Sequence, residues 1–253
     1  MRKLLQKHRA SLLFALWLLP VALVAAYFTA LYQLALFDEV TRALMLEELG
    51  SESAFIAVYV MQIALYALVT GFFGHLLAAK LGLMRPLRLT WPALKWVLPL
   101  SAAGGVLFSL DWWTFGAWIP GLREATDLTL TAPVVIASVL YGGVVEEVML
   151  RLFFMSLLAW LGWKLFFRRA EKAPAGVIVA ANVLAALLFA AGHLPATAML
   201  FELTPLVLLR CFLFNGGLGL FFGWLYRRFG IQYAMLGHAS AHMVSKLIWF
   251  FFV

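Results

Sequence analysis

Charge is scarce in this chain and cysteine is almost missing. Only 12% of its 253 residues are charged, against 65% hydrophobic, and the mean hydropathy is +0.97. So little charge excludes a water-soluble globular domain, where about a quarter of residues are charged. The single cysteine, Cys211, excludes an internal disulfide framework, and its place in an apolar run makes it a small hydrophobe. Acidic residues number 12 against 19 basic ones, a net charge of +7. Nucleic-acid binding would require a continuous basic patch or stripe. Here the basic residues fall in short clusters between apolar runs, so no nucleic-acid partner is expected. An internal repeat is also lacking, which removes the main sign of an inverted-repeat transporter. The His-Glu-xx-His signature of zinc peptidases is missing too.

What the chain does have is long apolar runs. A bilayer crossing takes about 20 such residues, and about seven candidates stand out: 11–37, 53–79, 91–109, 131–162, 174–201, 204–225 and 231–253. The fold expected is all-α, a polytopic transmembrane helix bundle forming one integral membrane domain over 1–253. The first run follows Arg2, Lys3, Lys7 and Arg9 as a signal peptide would, but it is too long for a cleavable apolar region and reads as an uncleaved span. The connecting segments alternate in sign. Basic clusters lie at the N-terminus, at 80–90, at 163–173 and at 226–230; acidic ones lie at 38–52 and 110–130. Retention of Lys and Arg on the cytoplasmic side places the N-terminus inside and the C-terminus outside. Gly219 and Gly223 have the small-xxx-small spacing of close helix packing. Trp91, Trp112, Trp113, Trp118, Trp160 and Trp163 fall mostly near span ends, as an interfacial belt.

An ionisable side chain at membrane depth costs at least roughly 2.5 kcal/mol, so each one marks a functional site by default. The fourth run carries Glu146, Glu147 and Arg151. Glu147 and Arg151 are four apart with the acid first, the favoured order for a helical ion pair, and read as a structural pair. Glu146 points about 100° away and is left to face other spans. The fifth run carries Phe189 and His193 on one face, with Pro195 just beyond to kink the helix. The seventh carries His238 and His242 one turn apart, and Lys246 continues that stripe toward the outer end, where it is expected to snorkel. Three helices can thus bring a carboxylate and histidines to one low-dielectric cavity, a setting suited to activation of water.

The order Glu-Glu-xxx-Arg, then Phe-xxx-His, then His-xxx-polar, over residues 142 to 246, resembles the CPBP family of CAAX prenyl endopeptidases and bacterial bacteriocin-processing or ABI-type intramembrane proteases. The resemblance implies a catalytic core within 131–253. It implies that Glu146 with His193 activates the attacking water, and that His238 with His242 binds the oxyanion. It also implies an endopeptidase of the cytoplasmic membrane, of bacterial or archaeal type, acting on a membrane-bound protein or peptide. A prenylated CAAX protein is not the expected substrate. The last motif residue is His242 where the family usually has Asn or Asp, but a neutral histidine still donates one hydrogen bond. No cofactor is expected under this mechanism. Zinc on Glu146, His193, His238 and His242 is the alternative, since zinc takes three protein ligands and a water. A non-proteolytic scaffold or immunity protein of the same family, and an ion-coupled transporter, remain rival functions.

Overall fold

The computed structural model describes residues 8–253, so Arg2, Lys3 and Lys7 of the N-terminal basic cluster lie outside the described residues. Those described form helices and no strand. In order they are α1 (Arg9–Leu36), α2 (Glu39–Leu49), α3 (Glu52–Leu81), α4 (Trp91–Ser109), the short α5 (Leu122–Leu128) and α6 (Ala132–Ala137). α6 runs without a break into a π-helix, π1 (Ser138–Met155), and on into α7 (Ser156–Phe166). Then come α8 (Ala175–Gly192), α9 (Leu194–Ala198), α10 (Pro205–Cys211), the π-turn π2 (Phe212–Gly216), α11 (Gly217–Phe229) and α12 (Ile231–Phe252). Five helical stretches are long and apolar enough to cross a membrane: Arg9–Leu36, Glu52–Leu81, Trp91–Ala117, Ala175–Ala198 and Pro205–Phe229. The stretches expected at 131–162 and 231–253 are also helical, and they carry Glu146, Glu147, Arg151, His238 and His242.

Two of the connecting segments are themselves folded. The acidic 38–52 segment forms α2, whose first turn is capped by Asp38 accepting from the Thr41 backbone N–H at 2.7 Å. The Thr41 side chain and its backbone N–H together hold the Asp38 carboxyl below its usual pKa. α2 ends on Gly50, whose φ of +78° is the left-handed conformation that glycine adopts without strain. The 110–130 segment forms two 3₁₀ turns and α5, packed as a small cluster of Ile119 and Leu122 on Val207.

Packing inverts the pattern of a soluble protein. Large apolar side chains such as Trp17, Trp91, Trp118 and Leu107 face outward, as a lipid-facing surface requires. Small residues fill the interior, because close van der Waals approach is what holds helices together in lipid. α1 lies on α3 through Ala15, Ala22, Ala26 and Gly71. π1 is wedged between α3 and α12, and α4 covers the other side of α12. Gly219 packs on Ala186 and Gly223 on Asn182, as their spacing predicts. Trp163 departs from the expected belt: it is buried, its indole donating to the Ala170 carbonyl at 3.0 Å.

Candidate active site

Three elements converge on a cavity of about 570 Å³ whose wall includes Glu146, His193, His238 and His242. π1 supplies Glu146, the junction of α8 and α9 supplies His193, and α12 supplies the other two histidines. The π geometry, one residue wider per hydrogen-bonded turn, is rare and concentrates at functional sites. π1 can lie hard against α12 because residues 142 and 143 lack side chains. A Cβ at Gly142 would stand 3.0 Å from His242 Nε2, and one at Gly143 2.8 Å from the Cβ of Ala239.

Glu147 is fully buried beside the cavity and does more than pair with Arg151. Its Oε1 lies 3.0 Å from Arg151 Nη1 and also accepts from His238 Nδ1 at 2.8 Å. Arg151 in turn sits over an aromatic ring, its guanidinium carbon 4.4 Å from the Phe189 ring centroid. The expected helical ion pair is present, and in addition Glu147 holds a histidine on α12, as a carboxylate partner sets the tautomer of an imidazole. On its far side His238 Nε2 meets His242 Nε2 at 3.1 Å, so the two rings share one hydrogen. Phe222 stacks on His238 with centroids 4.4 Å apart and holds the ring plane.

His193 ends α8 where Pro195 prevents regular continuation of the helix. Its Nδ1 lies 2.8 Å from the Phe189 carbonyl, and a carbonyl can only accept, so Nδ1 carries the hydrogen. The neutral ring therefore keeps Nε2 as an open acceptor. Glu146, by contrast with Glu147, is half-buried and has no hydrogen bond or ion pair among the described residues.

The cavity wall holds further polar groups that sequence reasoning missed. Asp111, assigned to an acidic loop, is buried and takes a bidentate pair from Arg210, with Nε 2.8 Å from Oδ1. Arg210 lies inside an apolar run, so the membrane-depth cost alone was signal enough to single it out. Tyr59 and Tyr141 also line the wall, and nothing in their sequence context marks them. Lys246 does not snorkel: it is 6% exposed and faces the cavity.

Among the described residues no three His, Cys, Asp or Glu side chains are placed to hold a metal ion. The zinc set of Glu146, His193, His238 and His242 is thus not gathered as one cluster among the described residues; His238 bonds Glu147 through Nδ1 and meets His242 through Nε2.

Residues 128–244 match the family model described as type II CAAX prenyl endopeptidase, Rce1-like. That stretch contains the whole constellation of Glu146, Glu147, Arg151, His193, His238 and His242. It is the CPBP/CAAX protease family that the motif order resembles. No curated protein and no solved structure matches the chain.

Proposed function

We infer that the CPBP/CAAX-family domain at residues 128–244 makes this chain an intramembrane endopeptidase, hydrolysing peptide bonds of a membrane-bound protein or peptide with water activated by Glu146 and His193. The chain sits in this reading as a multi-pass protein of the cytoplasmic membrane. It has seven spans, N-terminus inside and C-terminus outside, as the alternation of loop charge favours.

One observation carries the mechanism: the two adjacent glutamates have opposite surroundings. Glu147 is paired through Oε1 with Arg151 and His238, while Glu146 lines the cavity with no hydrogen bond or ion pair among the described residues. A water held between the Glu146 carboxylate and His193 Nε2 gives its proton to Glu146 as its oxygen attacks the scissile carbonyl carbon. The oxyanion that forms accepts a hydrogen bond from the His238–His242 pair, which turns its shared hydrogen from the neighbouring ring to the substrate. Glu146 then returns the proton to the leaving nitrogen as the C–N bond breaks.

The test is cleavage of a fluorogenic library of CAAX-type and signal-peptide-derived peptides by the purified protein, beside Glu146→Gln and with a chelator. The variant is expected to lose on the order of 10²- to 10⁴-fold in turnover, the usual share of a general base. The chelator is expected to change nothing. Full activity in the variant removes Glu146 from the mechanism, and loss with chelator that zinc restores replaces the metal-free reading with a metallopeptidase.

A further inference from the structure

The charges around the cavity mostly cancel in place. Glu147 is paired with Arg151, and Asp111 with Arg210. Besides Glu146, Lys246 is the exception among the described residues that line the cavity. It is buried at 6% exposure, lines the cavity wall, and has no ion pair or hydrogen bond among the described residues. Its one polar-aromatic contact is with Trp249, whose ring centroid is 6.0 Å from Nζ. Trp249 is itself pinned by its indole N–H, which donates to the Ser109 carbonyl at 2.9 Å. A buried ammonium without an ion-pair partner is costly, and an anion that arrives beside it lowers the cost.

Its position says which anion. His238, His242 and Lys246 follow one another at four-residue spacing on one face of α12, so Lys246 lies one turn, about 6 Å, beyond the histidine pair. A peptide bond presented to Glu146 and His193 therefore has its neighbouring residues within reach of the ammonium. We propose that Lys246 is a carboxylate-binding subsite, which selects substrates carrying a carboxylate, at a free C-terminus or on an Asp or Glu side chain, close to the cleaved bond. The proposal rests on the endopeptidase reading and adds a specificity determinant to it.

The test is a binding measurement on chains that do not turn over, so that a failure of the hydrolytic mechanism does not hide the answer. Fluorescence anisotropy in detergent compares three labelled apolar peptides on the Glu146→Gln chain: one with a free C-terminal carboxylate, its C-terminal amide, and the amide with one internal Glu. A charge-assisted hydrogen bond corresponds to at least about tenfold in affinity. A carboxylate peptide is therefore expected to bind at least about tenfold more tightly than the plain amide, and which of the two carboxylate peptides does so identifies the source. Adding Lys246→Met is expected to abolish the preference, and Lys246→Arg to keep most of it. Because Lys246 makes no hydrogen bond or ion pair among the described residues, and Met can still pack on Trp249, Lys246→Met is expected to melt no lower than its parent, which separates recognition from a structural role. Equal affinity for all three peptides, including no binding of any, overturns the proposal, as does a preference that survives in Lys246→Met.

Discussion

α1 and α3 meet as a seam of small residues, whereas π1, α8 and α12 meet around buried charge. In the first pair Ala15, Ala22, Ala26 and Ala67 are at most 2% exposed, and the cross-helix polar bond is Ser11 to His75 at 2.9 Å. In the second, Glu147, Arg151, His238 and Lys246 are all buried at 6% exposure or less. The difference teaches that lipid solves two problems with two chemistries. A scaffold helix needs only close contact, which alanine and glycine give. A helix that carries buried charge must find its partners inside the bundle, because nothing outside will supply them.

The contrast can be broken most severely at Arg151. Arg151→Ala leaves Glu147 buried with His238 alone, and removing one member of a buried pair costs about 3–5 kcal/mol. Chemical unfolding in detergent micelles should read a loss of that size, and a loss under about 1 kcal/mol would mean the pair does not organise the polar half. Gly74→Ala tests the seam between the two halves. Its new Cβ would stand 2.9 Å from the backbone nitrogen of Phe153 on π1, so one backbone must shift. Overpacking of this kind costs about 1–3 kcal/mol, and the same unfolding assay checks it. The smallest effect is expected at the exposed pair of Arg42 and Glu52, whose side chains are 47% and 43% exposed. Arg42→Ala should change stability by no more than about 1 kcal/mol, and less at high salt.

The scaffold half was nearly all legible in the sequence, since its physics is one-dimensional. The apolar run 91–109 is α4, residue for residue, and 11–37 is α1 to within two residues at its start. The connecting segments hid more. Asp38 and Gly50 are ordinary cap residues, yet the acidity around them reads as a loop, and α2 went unseen. The site was legible as a set of residue types, because an ionisable group within an apolar run stands out wherever it falls. What joins those residues was not. The bond from His238 to Glu147 spans 91 positions, and it recasts Glu147 from half of a local pair into a support for α12. The widening of π1 is equally silent, since residues four apart share a face closely enough in either helix for the Glu147–Arg151 pair to form. Lys246 was misplaced because snorkelling assumes a side chain turned out to the interface, whereas this one is buried on the cavity wall near Trp249.

The bidentate bond between Asp111 and Arg210 also gives the cavity a latched side and an unlatched one. The two residues are 99 positions apart and tie the end of α4 to α10. Prising those elements apart would strip two charges of each other inside an apolar wall. The wall also carries Tyr32, Gln33 and Tyr59 of α1 and α3, and none of the three makes a hydrogen bond among the described residues. A disturbance that parts α1 and α3 from the cavity therefore has no such charge pair to break among the described residues.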